Sequence, residues 1–166
     1  RKSRVPGPAT PPPPPVQLRP TLSLTCLGLV FGLVMELVAP LFPLDLTEKG
    51  YGTGMVAANS MMHAVGALAI APFMPRLAVR LGPQRAIFLA LIGGGVTLLL
   101  FPFSPSIWPW FPLRTLLGAF CEVILVLSES WLNQITDNHA RGRVMGLYST
   151  LLSVGIAIGP ALLSLT

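Results

Sequence analysis

Five long apolar stretches follow one another along the chain, and short polar segments separate them. A helix that crosses the hydrocarbon core of a membrane needs about 20 apolar residues, and in lipid its backbone must satisfy its own hydrogen bonds. The alternating pattern of barrel strands is absent from the sequence. The pattern therefore predicts an all-α bundle of five transmembrane helices, at about residues 21–44, 51–75, 86–103, 107–131 and 144–166.

The composition excludes most soluble proteins. Of the 166 residues, 52% are hydrophobic and only 10% are charged, whereas about 25% of the residues in a soluble domain are charged. The formal net charge of +5 would suit nucleic-acid binding only if the basic residues formed a dense stripe. They form short clusters between apolar runs instead, so we expect membrane lipid, and no nucleic acid, as a partner.

The first 20 residues differ from the rest of the chain. They contain four basic residues, no acidic residue and five consecutive prolines, Pro11 to Pro15, which favour an extended rod without internal hydrogen bonds. We expect residues 1–20 to be a disordered, Pro-rich cytoplasmic tail. It could be a solvated linker or a ligand for an SH3-like partner. Because the chain begins with Arg1 and ends within an apolar run, we expect it to be a fragment.

Basic residues alternate strictly between the loops. The tail and the loops after the second and fourth predicted helices contain arginines in excess, whereas the other two loops do not. Because loops rich in Lys and Arg stay in the cytoplasm, the amino terminus is predicted to be cytoplasmic. Trp108 and Trp110 would then lie at the outer interface. The expected location is the inner (plasma) membrane of a bacterium.

Residues that could carry catalysis or bind metal are few. Cys26 and Cys121 are far apart and lie inside apolar runs, and the two histidines, His63 and His139, are also far apart. A metal or redox motif would need such residues at short spacings. We therefore predict no catalytic residue, no metal site and no cofactor, and an enzyme is the least favoured class.

Ionisable side chains inside the predicted helices give the sharpest sign of function. Such a group at the centre of a bilayer costs at least about 2.5 kcal/mol, so it is expected to face a cavity or a partner. At about 100° per residue, Arg114, Gly118, Glu122 and Glu129 share one face of the fourth predicted helix. This polar face indicates either a water-lined pathway or a buried ion-pair network.

Three of these charges have individual expectations. Glu36 and Arg114 each lie about seven residues from the outer ends of their predicted helices, so they should interact if these helices are neighbours, either in transport or only as a structural ion pair. Glu122 lies deeper and has no basic residue at its level. Because ionisation is costly in a low dielectric, Glu122 is a candidate proton carrier.

Two polar residues of the second predicted helix, Asn59 and His63, are spaced i, i+4 and share a face. Hydrogen bonding between helices is the simpler interpretation, and a place in the substrate pathway is the other. Glu129 lies near the inner surface and is expected to be structural.

Three segments resemble signature motifs of the major facilitator superfamily of transporters. In the loop after the second predicted helix, Arg80 and Gly82 match the family signature and Arg85 follows it, but Pro75 and Val79 replace its first Gly and its Asp. This departure removes the usual Asp contact of the family. Two further motifs match, an Arg-x-x-x-Gly motif in the fourth helix and an Arg-Gly-Arg loop before a Gly-rich fifth helix, although Leu163 and Ser164 replace the further Gly pair common in antiporters. Their residues are Arg114, Gly118, Arg141, Gly142, Arg143, Gly146, Gly155, Gly159 and Pro160.

The resemblance covers about residues 22–166, and the run ESWLN at residues 129–133 resembles the YcaD-like branch of the superfamily. It implies that the chain is the N-terminal part of a twelve-helix carrier and contains five helices of its first six-helix half. The expected partners are a small-molecule substrate and the C-terminal half of the same protein. The carrier would work by alternating access and would be coupled to an ion gradient.

The resemblance also assigns expected roles to residues. The substrate and proton pathway would contain Glu36, Asn59, His63, Arg114 and Glu122. The cytoplasmic gate would contain Arg80, Gly82, Arg85, Glu129, Arg141, Gly142 and Arg143. The alternative is a non-transporting membrane sensor or scaffold, in which the buried charges only fix the pairing of helices.

Overall fold

The structure is a computed structural model that describes the backbone of residues 18–104, 106–136, 138 and 140–163. Most of the predicted tail, residues 1–17, lies outside this part of the chain. The described residues form helices and no strands. The α-helices are α1 Leu18–Glu48, α2 Thr53–Ile70, α3 Met74–Leu81, α4 Pro83–Leu100, α5 Trp110–Ile135 and α6 Arg141–Leu163.

Each of the five predicted helices has a counterpart in the structure. The second predicted helix corresponds to α2 and α3, which a 3₁₀ turn at Ala71–Phe73 connects. Four stretches of the described chain are long and apolar enough to cross a membrane: Thr21–Glu48, Thr53–Leu81, Pro83–Phe103 and Trp110–Ile135. The predicted all-α membrane fold is therefore confirmed.

Several helix ends differ from the sequence-based bounds, and two of these differences affect the site. α1 continues to Glu48. An ion pair between Lys49 and Asp45 (2.6 Å) lies at this end of the helix, and the chain then turns at Gly50, whose φ is 81°. A positive φ is readily available only to glycine. α5 begins at Trp110 rather than at residue 107. α1 is thus longer at this end than predicted, and α5 starts later.

Glycines allow α1 to lie directly against α6, its main neighbour. A Cβ added at Gly28 would lie 2.7 Å from the ring of Tyr148, and one added at Gly32 would lie 2.7 Å from the carbonyl oxygen of Leu152. Helices in lipid associate through such small residues because no hydrophobic force draws them together. The sequence of α1 already contains this Gly-x-x-x-Gly spacing, which is a signal for a close crossing of two helices.

A second close crossing joins α2 to α5. A Cβ at Gly118 of α5 would overlap the carbonyl oxygen of His63, and a Cβ at Gly66 of α2 would overlap the carbonyl oxygen of Thr115. The two backbones are therefore in direct contact at this point. α5 also packs against α4, so it is the central helix of the described bundle.

Two clusters of buried side chains mark the two ends of the bundle. One cluster joins α1, α4 and α5 near Trp110 and contains Phe42, Leu46 and Phe101; we call this end the tryptophan end. The other cluster lies towards the opposite ends of the same helices. We call that side the arginine end, after Arg76, Arg80, Arg85, Arg141 and Arg143.

Candidate functional site

A cavity of about 320 Å³ lies between α1, α2 and α5. Apolar side chains form most of its wall, among them Phe31, Val38, Leu117 and Leu125. Polar side chains from all three helices also line this central cavity: Glu36, Ser60, His63, Arg114 and Glu122. The structure thus brings four of the five candidate pathway residues to one place.

Two contacts fix the register between α1 and α5. The Sγ of Cys121 lies 3.4 Å from the Sδ of Met35, and the guanidinium carbon of Arg114 lies 4.3 Å from the centroid of the Phe42 ring. Glu36 is adjacent to Met35 in sequence, and Glu122 is adjacent to Cys121. The two carboxylates therefore lie at nearly the same depth in the bundle.

Arg114 lies at a different depth from the carboxylates. It is level with Phe42, which is six residues beyond Glu36 along α1, or about 9 Å at 1.5 Å per residue. The central cavity thus has a carboxylate level and a guanidinium level.

The expected interaction between Glu36 and Arg114 is not formed. Both side chains line the central cavity, but within the described chain the ion pair observed is the one between Lys49 and Asp45. The expectation assumed that each residue lay seven positions from the outer end of its helix. α1 runs on to Glu48 and α5 begins only at Trp110, so the two residues are at different depths.

The guanidinium of Arg114 rests on an aromatic ring instead of a carboxylate. Arg114 is buried, with 7% of its surface exposed, and its Nε has no hydrogen-bond acceptor in the described structure. A cation over an aromatic face is stabilised by about 0.5–2 kcal/mol. Phe42 is itself held by Phe101 (ring centroids 4.4 Å apart) and Trp110 (5.8 Å). The contact between Phe42 and Arg114 could not be predicted from the sequence, because the periodicity of α1 does not show which helix Phe42 faces.

The two carboxylates at the other level are half-buried. Among the described residues, neither Glu36 nor Glu122 has a hydrogen bond or an ion pair to a protein group. Intramembrane carboxylates without a partner are costly and are typical of substrate or ion pathways.

Asn59 is the candidate pathway residue that the structure does not place at the central cavity. It is almost completely buried, with 1% exposure, and its Nδ2 has no acceptor in the described structure. The Nδ1 of His63 is also buried without a partner. The described part of the chain therefore shows no hydrogen bond between helices for these two residues, which was the simpler interpretation of the sequence.

The candidate gate residues lie apart from the central cavity. Arg80, Arg85, Glu129, Arg141 and Arg143 are exposed at the arginine end, and the described structure gives them no ion pair. Gly82 forms the turn between α3 and α4 with φ of 74°, and Gly142 is exposed.

The glycines of the fifth-helix motif differ in their surroundings. Gly155 touches the backbone of α1, at Leu29, whereas a Cβ at Gly146 would meet nothing within 4 Å. Gly159 and Pro160 belong to the last turns of α6, beyond the residues whose side chains are described. No group of three or more His, Cys, Asp or Glu residues that could hold a metal ion occurs in the described part of the chain.

Comparison with known proteins identifies the class of protein that this bundle belongs to. The Major Facilitator Superfamily profile matches residues 24–166, so the chain belongs to this family of membrane transporters and is an integral membrane protein. It is similar to the uncharacterized MFS-type transporter YcaD of Salmonella typhi, with 28% identity over 149 residues. Its similarity to the YcaD of Salmonella arizonae is 29% identity over 146 residues.

The similarity covers most of this chain but a minor part of each relative. The aligned region is 90% of this chain and 39% of the Salmonella typhi protein, and 88% and 38% for the Salmonella arizonae protein. The chain therefore spans less than half the length of the curated relatives that it matches.

Proposed function

We propose that the chain forms part of a secondary active transporter that moves a small solute by alternating access, driven by an ion gradient. The observation that carries this proposal is the central cavity. Within spans that are otherwise apolar, Glu36, His63, Arg114 and Glu122 line one space on three different helices. Ionisable groups in a membrane face cavities that carry substrates or ions, and transporters bind their solutes near the midplane of the bilayer.

The rest of the carrier would complete the site. Because the chain spans less than half the length of its relatives, we propose that a further set of helices closes the central cavity and alternates with this one. The amino terminus would be cytoplasmic, in the inner membrane, because the arginine end would then face the cytoplasm. Arg80, Arg85, Arg141 and Arg143 would form a gate there and contact anionic lipid.

The unpaired charges favour transport over a scaffold. A scaffold that used buried charges to fix helix pairing would join them, because an unpaired charge in a low dielectric is costly. Among the described residues, Glu36 and Glu122 have no protein partner, and the guanidinium of Arg114 lies over the ring of Phe42. The helices are joined at glycines instead, at Gly66 and Gly118.

Flux in vesicles tests the proposed function. The complete protein, reconstituted into vesicles with an imposed pH gradient, is expected to accumulate or expel at least one solute of a broad panel. Ser60→Trp should abolish this flux, because Ser60 lines the central cavity and an indole would fill it. Ser106→Trp is the matched control, since Ser106 is exposed in the loop beside Trp108 at the tryptophan end. Absence of flux for every solute, with and without the gradient, would instead favour the scaffold.

A further inference from the structure

The central cavity carries its charges at two levels, and we propose that they match one class of solute. The solute would be a monovalent organic cation with a hydrogen-bond acceptor at its other end. Glu36 and Glu122 would bind the cationic group, and Arg114 would bind the acceptor. This assignment rests on the proposed transport function, since it names the substrate class of the same cavity.

The balance of charge favours a cation. Two carboxylates and one guanidinium line the part of the central cavity that this chain forms, so this part has a formal charge of −1 with His63 neutral. A solute with a single positive charge brings the total to zero, whereas an anion would raise it to −2 in a low dielectric. Net charge in a closed site of low dielectric is strongly disfavoured.

The surroundings of the charged side chains also favour a cationic solute. Glu36 and Glu122 are half-buried rather than fully enclosed and have no protein partner among the described residues, so a solute in the central cavity can reach them directly. The charge of Arg114 already interacts with the Phe42 ring, so the central cavity does not require an anion beside it. Among the described residues, Arg114 forms no ion pair with either carboxylate.

The guanidinium level points to a second feature of the solute. Among the described residues the buried Nε of Arg114 has no acceptor, and a buried donor without a partner is destabilising. A carbonyl or ether oxygen would satisfy this donor without adding charge. Apolar side chains between the two levels, such as Val38 and Leu117, would cover the body of the solute.

Equilibrium binding to the complete protein in detergent tests the assignment with matched probes. The first probe is 5-oxohexyl-trimethylammonium, which carries a cation and a ketone. The second replaces the trimethylammonium group with a tert-butyl group of the same shape, which removes only the charge. The third is hexyl-trimethylammonium, which lacks only the ketone, and the fourth is octanoate, an anion. We expect the first probe to bind at least about tenfold more tightly than each of the others.

Substitutions test which residues bind the cationic group of the probe and which residue binds its ketone. Glu36→Gln and Glu122→Gln should each remove the preference for the charged probe over its tert-butyl counterpart while keeping the size of the side chain. Arg114→Gln should remove the preference for the ketone and leave the preference for charge. Glu48→Gln is the matched control, because Glu48 is exposed at the end of α1 and should change neither ratio. Circular dichroism and gel filtration check that each variant is folded.

Each result supports or overturns the assignment. Preference for octanoate, or equal binding of the charged and tert-butyl probes by the unaltered protein, would overturn the cationic class. Equal weakening of all probes in a folded Glu36→Gln protein, which leaves the charge ratio unchanged, would overturn the role of the carboxylates. Flux of another solute in vesicles together with no binding of the cationic probe would leave the transport function standing and refute only the substrate class.

Discussion

Replacing Gly118 with alanine is expected to lower the free energy of unfolding by about 1–3 kcal/mol, the range found when an atom is forced into a packed interior. The new methyl group would overlap the carbonyl oxygen of His63, which belongs to the backbone of α2 and cannot rotate away. The two helices would have to separate, and the wall of the central cavity next to His63 would move with them.

Gly95→Ala provides the matched control for this change. Gly95 is an exposed residue inside α4, and a Cβ there would meet nothing within 4 Å. Both variants replace a helical glycine with alanine, so both gain the same helix propensity of about 1 kcal/mol. The difference between their apparent melting temperatures in detergent therefore isolates the contact between α2 and α5, and we expect Gly118→Ala to melt several degrees lower.

The second glycine of the crossing sharpens the test. Gly66→Ala would overlap the carbonyl oxygen of Thr115 at the same crossing. Once the helices have separated to admit one methyl group, the second should cost less, so the double variant should be less destabilised than the sum of the single variants. Equal melting temperatures for Gly118→Ala and Gly95→Ala would show that the two backbones are not in contact in the membrane protein.

The sequence was sufficient for the features that depend on one helix at a time. Apolar runs of about 20 residues located the five helices, and the spacing of Arg114 and Glu122 on α5 placed both on one face. The structure has both residues at the central cavity. Glu36 and His63 could be selected because ionisable groups are rare in such spans.

Features that depend on two helices could not be predicted in this way. Two quantities decide whether Glu36 is level with Arg114 or with Glu122. They are the residues at which the helices end and the register between α1 and α5. Neither quantity is visible in the periodicity of a single segment. An error of a few residues at the helix ends changes depth by several Å, which was enough to suggest the wrong partner for Glu36. Asn59 shares a face with His63 on α2 and is buried, but it does not line the central cavity.

Replacing Glu122 with glutamine is expected to abolish coupling of transport to the proton gradient. Glutamine has nearly the same shape as a protonated glutamate, but it cannot release or take up a proton. If Glu122 carries the proton, the solute can still bind to the Glu122→Gln protein and cross the membrane at high concentration. The pH gradient can then no longer drive the solute against its concentration gradient. The expected result is therefore complete loss of accumulation with exchange of solute across the membrane retained.

Two assays on the same vesicles separate these activities. Accumulation is measured with an imposed pH gradient, and exchange is measured as counterflow of labelled solute without a gradient, at saturating solute so that weaker binding does not limit it. Glu48→Gln should retain both activities. Glu36→Gln tests whether the two carboxylates are equivalent: if Glu122 alone carries the proton, Glu36→Gln should keep gradient-driven accumulation at saturating solute.

The environment of the two carboxylates makes this comparison informative. Both are half-buried at nearly the same depth and lack protein partners among the described residues, so burial alone cannot decide between them. Glu122 lies on α5, the helix that contacts α2 through Gly118 and also carries Arg114, whereas Glu36 lies on α1. Undiminished uphill accumulation by a folded Glu122→Gln protein would exclude Glu122 as the proton carrier and move that role to Glu36 or His63.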